Sequence, residues 1–224
     1  MKLLALDTAA TACSVALLTD AGLVENRLEA ERVQAETLLP MVEKLLADAG
    51  LKLAALDALA FGRGPGAFTG LRVAASMAQG LAYGAGIPVV PVSNLSALAV
   101  SAHRRHGAEH ILACLDARMQ EVYWAAYRVH DESVEALTGE SLSPPGDIAV
   151  PDVQGWFGAG SGWDAYRDAL KARVSGLQGV DAAVTAGAGD IARLAIKAFR
   201  QGGAVAPERA LPVYLRDNVA TPKI

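Results

Sequence analysis

Leu3-Leu4-Ala5-Leu6-Asp7-Thr8, near the start of the chain, is echoed by Ile111-Leu112-Ala113-Cys114-Leu115-Asp116-Ala117. In both places an apolar run ends in an aspartate, a turn follows, and a second apolar run returns. The returning runs are Ser14-Val15-Ala16-Leu17-Leu18 and Val122-Tyr123-Trp124-Ala125-Ala126-Tyr127. Apolar run, tight turn and apolar run read as a β-hairpin. The two aspartates stand 109 residues apart, close to half of the 224-residue chain. A repeat on that scale signals duplicated lobes rather than a solenoid.

Outward from the first hairpin, residues 2–7, 12–19 and 23–30 read as a three-stranded meander. Residues 31–49 show helical periodicity through Leu38, Leu39, Val42, Leu45, Leu46 and Ala49, and Gly50 stops it. A strand at 56–61 leads into the glycine-rich loop 62–70. Thr69 or Gly70 opens a helix to about Tyr83, which Gly84 and Gly86 end. A strand at 87–92 then leads to a helix with Ser93 as its N-cap. In the second half, 111–116 and 121–129 read as strands, and Ser143-Pro144-Pro145-Gly146 as a loop. Residues 156–160 are a short strand running into a glycine turn, and 163–173 and 190–200 are helices. A last strand at 211–215 is confined by Pro212 to an edge or a strand start. Apolar residues make up 52% of the chain and aromatics only 5%. The core is therefore mostly Ala, Leu and Val, which suits an α/β layering. The expected division is an N-terminal lobe, 1–105, and a C-terminal lobe, 106–224. Two lobes that each open strand–Asp–turn–strand are similar to the actin/hexokinase/Hsp70 (ASKHA) superfamily, with mixed sheets flanked by helices. There the two hairpin turns face each other across a cleft. Backbone N–H groups cradle phosphates, and the aspartates act on Mg²⁺ or water. Equally, a strand-end aspartate can simply cap its own turn.

The net charge of −4 argues against a chain that grips nucleic acid alone, because such chains carry a basic patch. His103-Arg104-Arg105-His106 is the one basic cluster, and a helix C-terminus favours cations there anyway. Cys13 and Cys114 each sit in an apolar run, as buried free thiols do, and form neither a disulfide framework nor a zinc spacing. Residues 3–18 are apolar, but Asp7 interrupts them. They read as neither a signal peptide nor a membrane span, and a cytoplasmic protein is expected.

Gly62-Arg63-Gly64-Pro65-Gly66-Ala67-Phe68-Thr69-Gly70-Leu71-Arg72 is the most distinctive segment. It is a strand-to-helix loop whose glycines tolerate positive φ and whose amides suit an anion at a helix N-terminus. Close packing of the lobe explains such a loop equally well, and it lacks the Gly-Lys-Ser/Thr of a Walker loop. The string GPGAFTGLR resembles the fingerprint of the TsaB (YeaZ) family. So do LLALDTAATACSVAL, LDARMQEVYWAAY and the late Pro212-Val213-Tyr214-Leu215-Arg216. The resemblance spans both halves and is weakest over 131–155.

The resemblance implies an accessory role in forming threonylcarbamoyladenosine in tRNA. TsaB-like chains join TsaD, a larger paralogue and the expected transferase, and the ATPase TsaE. Together they carry threonylcarbamoyl to N6 of the adenosine beside the anticodon. The chain is then no enzyme and has no cofactor of its own, with ATP or ADP acting at the level of the complex. It meets tRNA through that complex, without a membrane, and dimerises when free. Asp7, Thr8, Gly64, Gly66 and Asp116 become the remains of a nucleotide cleft. The TsaD family carries a His-x-x-x-His metal motif after its own Gly-Pro-Gly loop. Counted on from Gly66, those histidines fall at Asn94 and Leu98, and neither suits a transition metal. His103, His106 and His110 form a spaced trio, but Gly107 interrupts the helix between them. No Gly-x-Ser-x-Gly elbow is present, and no Ser/His/Asp set can be assigned.

A chain without catalysis works through its surface. The helices at 31–49 and 70–83 are apolar over more than one stripe, Val33 and Met41 included. Small residues such as Gly70 and Gly80 permit close helix approach, as in a four-helix bundle. The expected partner face comprises Leu38, Leu39, Val42, Leu45, Leu46, Leu71, Ala74, Ala75 and Ala78. The competing reading puts both helices in a double-sided core. The alternative function is a small phosphotransferase, acetate- or sugar-kinase-like, with Asp7 and Asp116 flanking the cleft.

Overall fold

The structure, a computed structural model, describes residues 1–10, 12–29, 34–131 and 133–216. The first hairpin is β1 (Leu3–Asp7) and β2 (Ala12–Thr19), antiparallel, with Asp7 opposite Ser14. β3 (Gly22–Glu29) completes the meander, and β4 (Ala58–Gly64) and β5 (Val89–Ser93) extend the other side in parallel. The order is β3-β2-β1-β4-β5. The second sheet repeats it. β6 (His110–Asp116) pairs antiparallel with β7 (Val122–His130), and β7 with β8 (Ser133–Ala136) and β9 (Ser141–Ser143). β10 (Trp156–Ala159) and β11 (Leu177–Asp181) run parallel beyond β6, giving β11-β10-β6-β7-β8. Strand order and sense match, so the sequence repeat is a repeat of fold, and the architecture is ASKHA-like.

β1 is buried throughout because helices cover both faces of its sheet. On one side α1 (Gln34–Asp48) and α2 (Phe68–Ala85) pack Leu38, Val42, Leu45, Ala74 and Ala78 onto Leu4, Leu6, Leu59 and Phe61. α3 (Asn94–His106) starts at Ser93, whose Oγ accepts the Ser96 N–H at 3.1 Å. It packs Leu95, Leu98 and Ala102 against Ile111, Ala113 and Ala125 of the second sheet. α4 (Gly162–Ala165) and α5 (Arg167–Lys171) join Trp163 and Leu170 to Leu112, Cys114 and Trp156 on the far face of that sheet. α6 (Ala188–Arg200) returns to the first sheet, with Ile191, Ala192 and Ala195 against Leu3, Ala5, Ala60 and Val90. A boundary at 105/106 therefore separates the sheets but not the helices. Each half lends its last long helix to the other half's sheet.

Several elements differ from expectation. The helix expected at 163–173 breaks at Tyr166 (φ −137°, ψ 36°) into α4 and α5. The strand expected at 211–215 is an irregular segment. Its backbone link to the first sheet is Val213 N–H to Arg63 O, 2.8 Å, and Pro212 beside it has no N–H to offer a ladder. α2 runs on through Gly84 to Ala85, capped by Gly86 at φ 67°. The expected helix start at 31–33, Val33 included, and Ala30 lie outside the described residues.

Candidate functional site

The C-terminal ends of β1 and β6 bring Asp7 and Asp116 to a shared interlobe cleft of about 770 Å³, whose wall also includes Gly66, Leu98, Leu115 and Arg118. Thr8 and Gly64 are not part of that wall. Asp7 is 2% exposed. Its Oδ1 accepts from Asn94 Nδ2 at 2.8 Å and from the Ala9 N–H at 3.3 Å. Burial pushes its pKa up to about 6, against the pull of those two bonds and of Arg27. Thr8 Oγ1 donates to Gly70 O at 2.6 Å. The Gly64 N–H donates to Asn94 Oδ1 at 2.8 Å, and the Ala67 N–H to Ala9 O at 2.9 Å. Two amides of the glycine-rich loop are thus engaged inside the chain.

Close approach explains the glycines of that loop. A Cβ on Gly62 would collide with the Asp7 carboxylate. One on Gly66 would lie 2.8 Å from Ala9 O, and one on Gly64, itself at φ 110°, 2.8 Å from Val213 O. Asn94, standing where a first metal histidine would fall, bridges Asp7 and Gly64. Leu98, at the second such position, is core. The three histidines of the trio are engaged separately. A His103 ring nitrogen lies 2.8 Å from Ala108 O. His106 Nε2 lies 2.9 Å from Asp181 Oδ2 and holds that carboxyl below its usual range. His110 meets Trp156 edge-on. In the basic cluster, Arg104 pairs with Asp190 at 3.0 Å and ties α3 to α6. Both cysteines are buried; burial pushes the Cys13 thiol up to about 11 and raises that of Cys114 further.

Asp116 acts as a turn cap. Its Oδ1 accepts the Arg118 N–H at 2.8 Å, and its Oδ2 pairs with the Arg118 guanidinium at 2.9 Å. The turn it caps is unusual. Arg118, Met119 and Gln120 take φ of 60°, 54° and 61° in succession. The left-handed region costs an L-residue roughly 1–2 kcal/mol. Arg216 braces the turn from the far end of the chain, 3.0 Å from Ala117 O and 2.7 Å from Glu121.

The expected partner face needs correction. Leu38, Val42, Leu45, Leu46, Leu71, Ala74, Ala75 and Ala78 are all at most 8% exposed; Leu71 lines the cleft and the other seven pack into the core of their own lobe. Their side chains are withdrawn from the surface that a partner would meet. Of the nine residues only Leu39 is outward, at 38%. The outer side of α2 instead presents Ser76, Gly80, Tyr83 and Gly84, with Val73, Met77 and Leu81 half-buried beside them. Tyr83 is 80% exposed. Among the described residues, a Cβ on Gly80 or Gly84 would meet nothing within 4 Å.

Over its whole length the chain is 42% identical to the tRNA threonylcarbamoyladenosine biosynthesis protein TsaB of Escherichia coli (strain K12), 98% of which is covered. The chain belongs to the TsaB family. The TsaB of Haemophilus influenzae is 40% identical, with 100% of this chain and 97% of that protein covered. Among solved structures, YeaZ from Pseudomonas aeruginosa matches 96% of this chain and 99% of its own at TM-score 0.89 and 45% identity. Residues 28–224 also match the family model of TsaD, described as tRNA N6-adenosine threonylcarbamoyltransferase. The TsaB relatives therefore put the chain in threonylcarbamoyladenosine biosynthesis. No helix among the described residues is long and apolar enough to cross a membrane.

Proposed function

We propose that the chain is a non-catalytic subunit that binds TsaD and holds it in the conformation that transfers threonylcarbamoyl to N6 of the tRNA adenosine beside the anticodon. The outer side of α2 carries this reading. Glycine inside a helix costs about 1 kcal/mol relative to alanine. Gly80 lies inside α2 and Gly84 in its last turn; among the described residues both have open space above them, and neither is among the positive-φ residues. Among the described residues no close contact calls for glycine at either position. Their use is to let a second helix approach closely, flanked on α2 by Val73, Met77 and Tyr83. TsaD supplies that helix in the working complex, and a second copy of this chain supplies it when TsaD is absent. The two pairings compete for one face. TsaE and tRNA join through the assembly, and ATP or ADP acts there.

The cleft supports the same reading. Asp116 is held in its own turn, and the Gly64 and Ala67 amides already have acceptors. A phosphotransferase needs those groups free. Co-elution of the chain with purified TsaD, and its loss in Gly80→Leu, tests the interface. Titration of the isolated chain with Mg²⁺–ATP tests the rival reading; tight binding with turnover on a small molecule would favour a kinase.

A further inference from the structure

The last described residues, 210–216, form neither strand nor helix, yet they make specific contacts with both lobes. At the first lobe the Val213 N–H donates to Arg63 O at 2.8 Å, and the Val213 carbonyl stands over Gly64. Tyr214 packs on Phe68 with ring centroids 5.4 Å apart, and its hydroxyl accepts from Arg72 Nε at 3.0 Å. The Arg72 guanidinium lies 3.7 Å over the Phe68 ring, so three side chains lock together. Two residues later Arg216 belongs to the other lobe. It bridges Glu121 and Ala117 O, and its side chain is only 14% exposed. Val213, Tyr214, Leu215 and Arg216 also form part of the cleft wall.

We infer that residues 210–216 are an interlobe strap that sets the opening of the cleft by linking the glycine-rich loop to the left-handed turn at 118–120. In a two-lobed enzyme a bound ligand spans such a cleft and fixes its closure. Here the chain's own backbone and Arg216 span it. The strap also explains how three consecutive left-handed residues persist, since strain of that kind survives only where the surroundings over-determine it. Asp116 holds the turn from inside, and the Arg216 fork holds its carbonyl side. This inference does not depend on the proposed role with TsaD.

Coupling through a strap is reciprocal: loosening either anchor must loosen the other lobe's end. Amide hydrogen exchange on the full-length protein tests this with Arg216→Ala and Tyr214→Ala. Arg216→Ala cuts the anchor in the second lobe, and exchange in the first-lobe segment 63–68 is expected to rise about tenfold. Tyr214→Ala removes the side-chain part of the first-lobe anchor and leaves the Val213 N–H bond to Arg63 O, so exchange at 117–122 is expected to rise by a smaller factor, about threefold. β1 and β6 keep wild-type protection in both. If each variant loosens only its own lobe, the strap is two independent staples and the inference fails. It fails equally if exchange rises uniformly through β1 and β6, since Arg216 would then add only to global stability. Should Arg216→Ala not fold, Arg216→Lys keeps the charge but loses the fork. It must show the same cross-lobe rise, and wild-type exchange at 63–68 would overturn the strap.

Discussion

Asp7→Asn should stabilise the protein, although it removes a charge from the middle of the cleft. The carboxyl has a pKa of about 6 instead of 3.8, and burial is the main cause. The folded state therefore holds this proton more tightly than the unfolded chain. The group's contribution is most favourable at low pH, declines as pH rises from about 4 to about 6, and is flat above that. The cost of ionising Asp7 in the folded state at pH 8 is then about 3 kcal/mol, and at pH 5 about half of that. Asparagine is nearly the same size. Its Oδ1 still accepts from Asn94 and Ala9, and its new amide group is on a side chain that lines the cleft. Allowing for imperfect partners, the expected gain is about 2 kcal/mol at pH 8 and about 1 kcal/mol at pH 5. Urea unfolding of both proteins at the two pH values measures this, provided the slope of each transition is unchanged. A loss of stability at pH 8, or an equal gain at both pH values, would refute the reasoning.

Val42→Glu and Leu38→Glu should unfold the protein rather than merely separate it from a partner, because both side chains are at most 2% exposed. Burying an unpaired carboxylate costs several kcal/mol, and circular dichroism would reveal the loss. Gly80→Leu should do the reverse. Compared at a dilution that leaves both proteins monomeric, the isolated chain gains roughly 0.5–1 kcal/mol of helix propensity and melts higher, while co-elution with TsaD disappears. Gly158→Ala should cost more than about 2 kcal/mol. Its methyl would collide with the Trp163 ring, which is fixed by Nε1 donating to Leu112 O at 3.1 Å; thermal unfolding reads the loss.

Much of the fold could be read from the order of residues, since a hairpin is local. The two strand–Asp–turn–strand units and the Ser93 cap needed only neighbouring side chains. The exchange of α3 and α6 between sheets did not follow, because periodicity identifies an apolar stripe but not the sheet it will cover. The same ambiguity misassigned Leu38, Val42 and Ala74. Both helices have more apolar surface than one stripe needs, and the most apolar side went inward. β8, β9 and β11 are short and have no buried face to alternate. The left-handed turn escaped notice because Arg, Met and Gln are not the residues that announce positive φ. Asn94 was visible only as a missing ligand. Its position as the bridge between Asp7 and Gly64 depends on β1, β4 and α3 meeting, which local pattern does not encode.

The most direct test is threonylcarbamoyladenosine formation on tRNA in a mixture of purified TsaD, TsaE and this chain, supplied with threonylcarbamoyl-adenylate and ATP. Modification should proceed with the wild-type chain, and should fall to background when the chain is omitted or replaced by Gly80→Leu. Undiminished modification without the chain, or transfer by the chain in the absence of TsaD, would contradict a supporting role exercised through the outer side of α2.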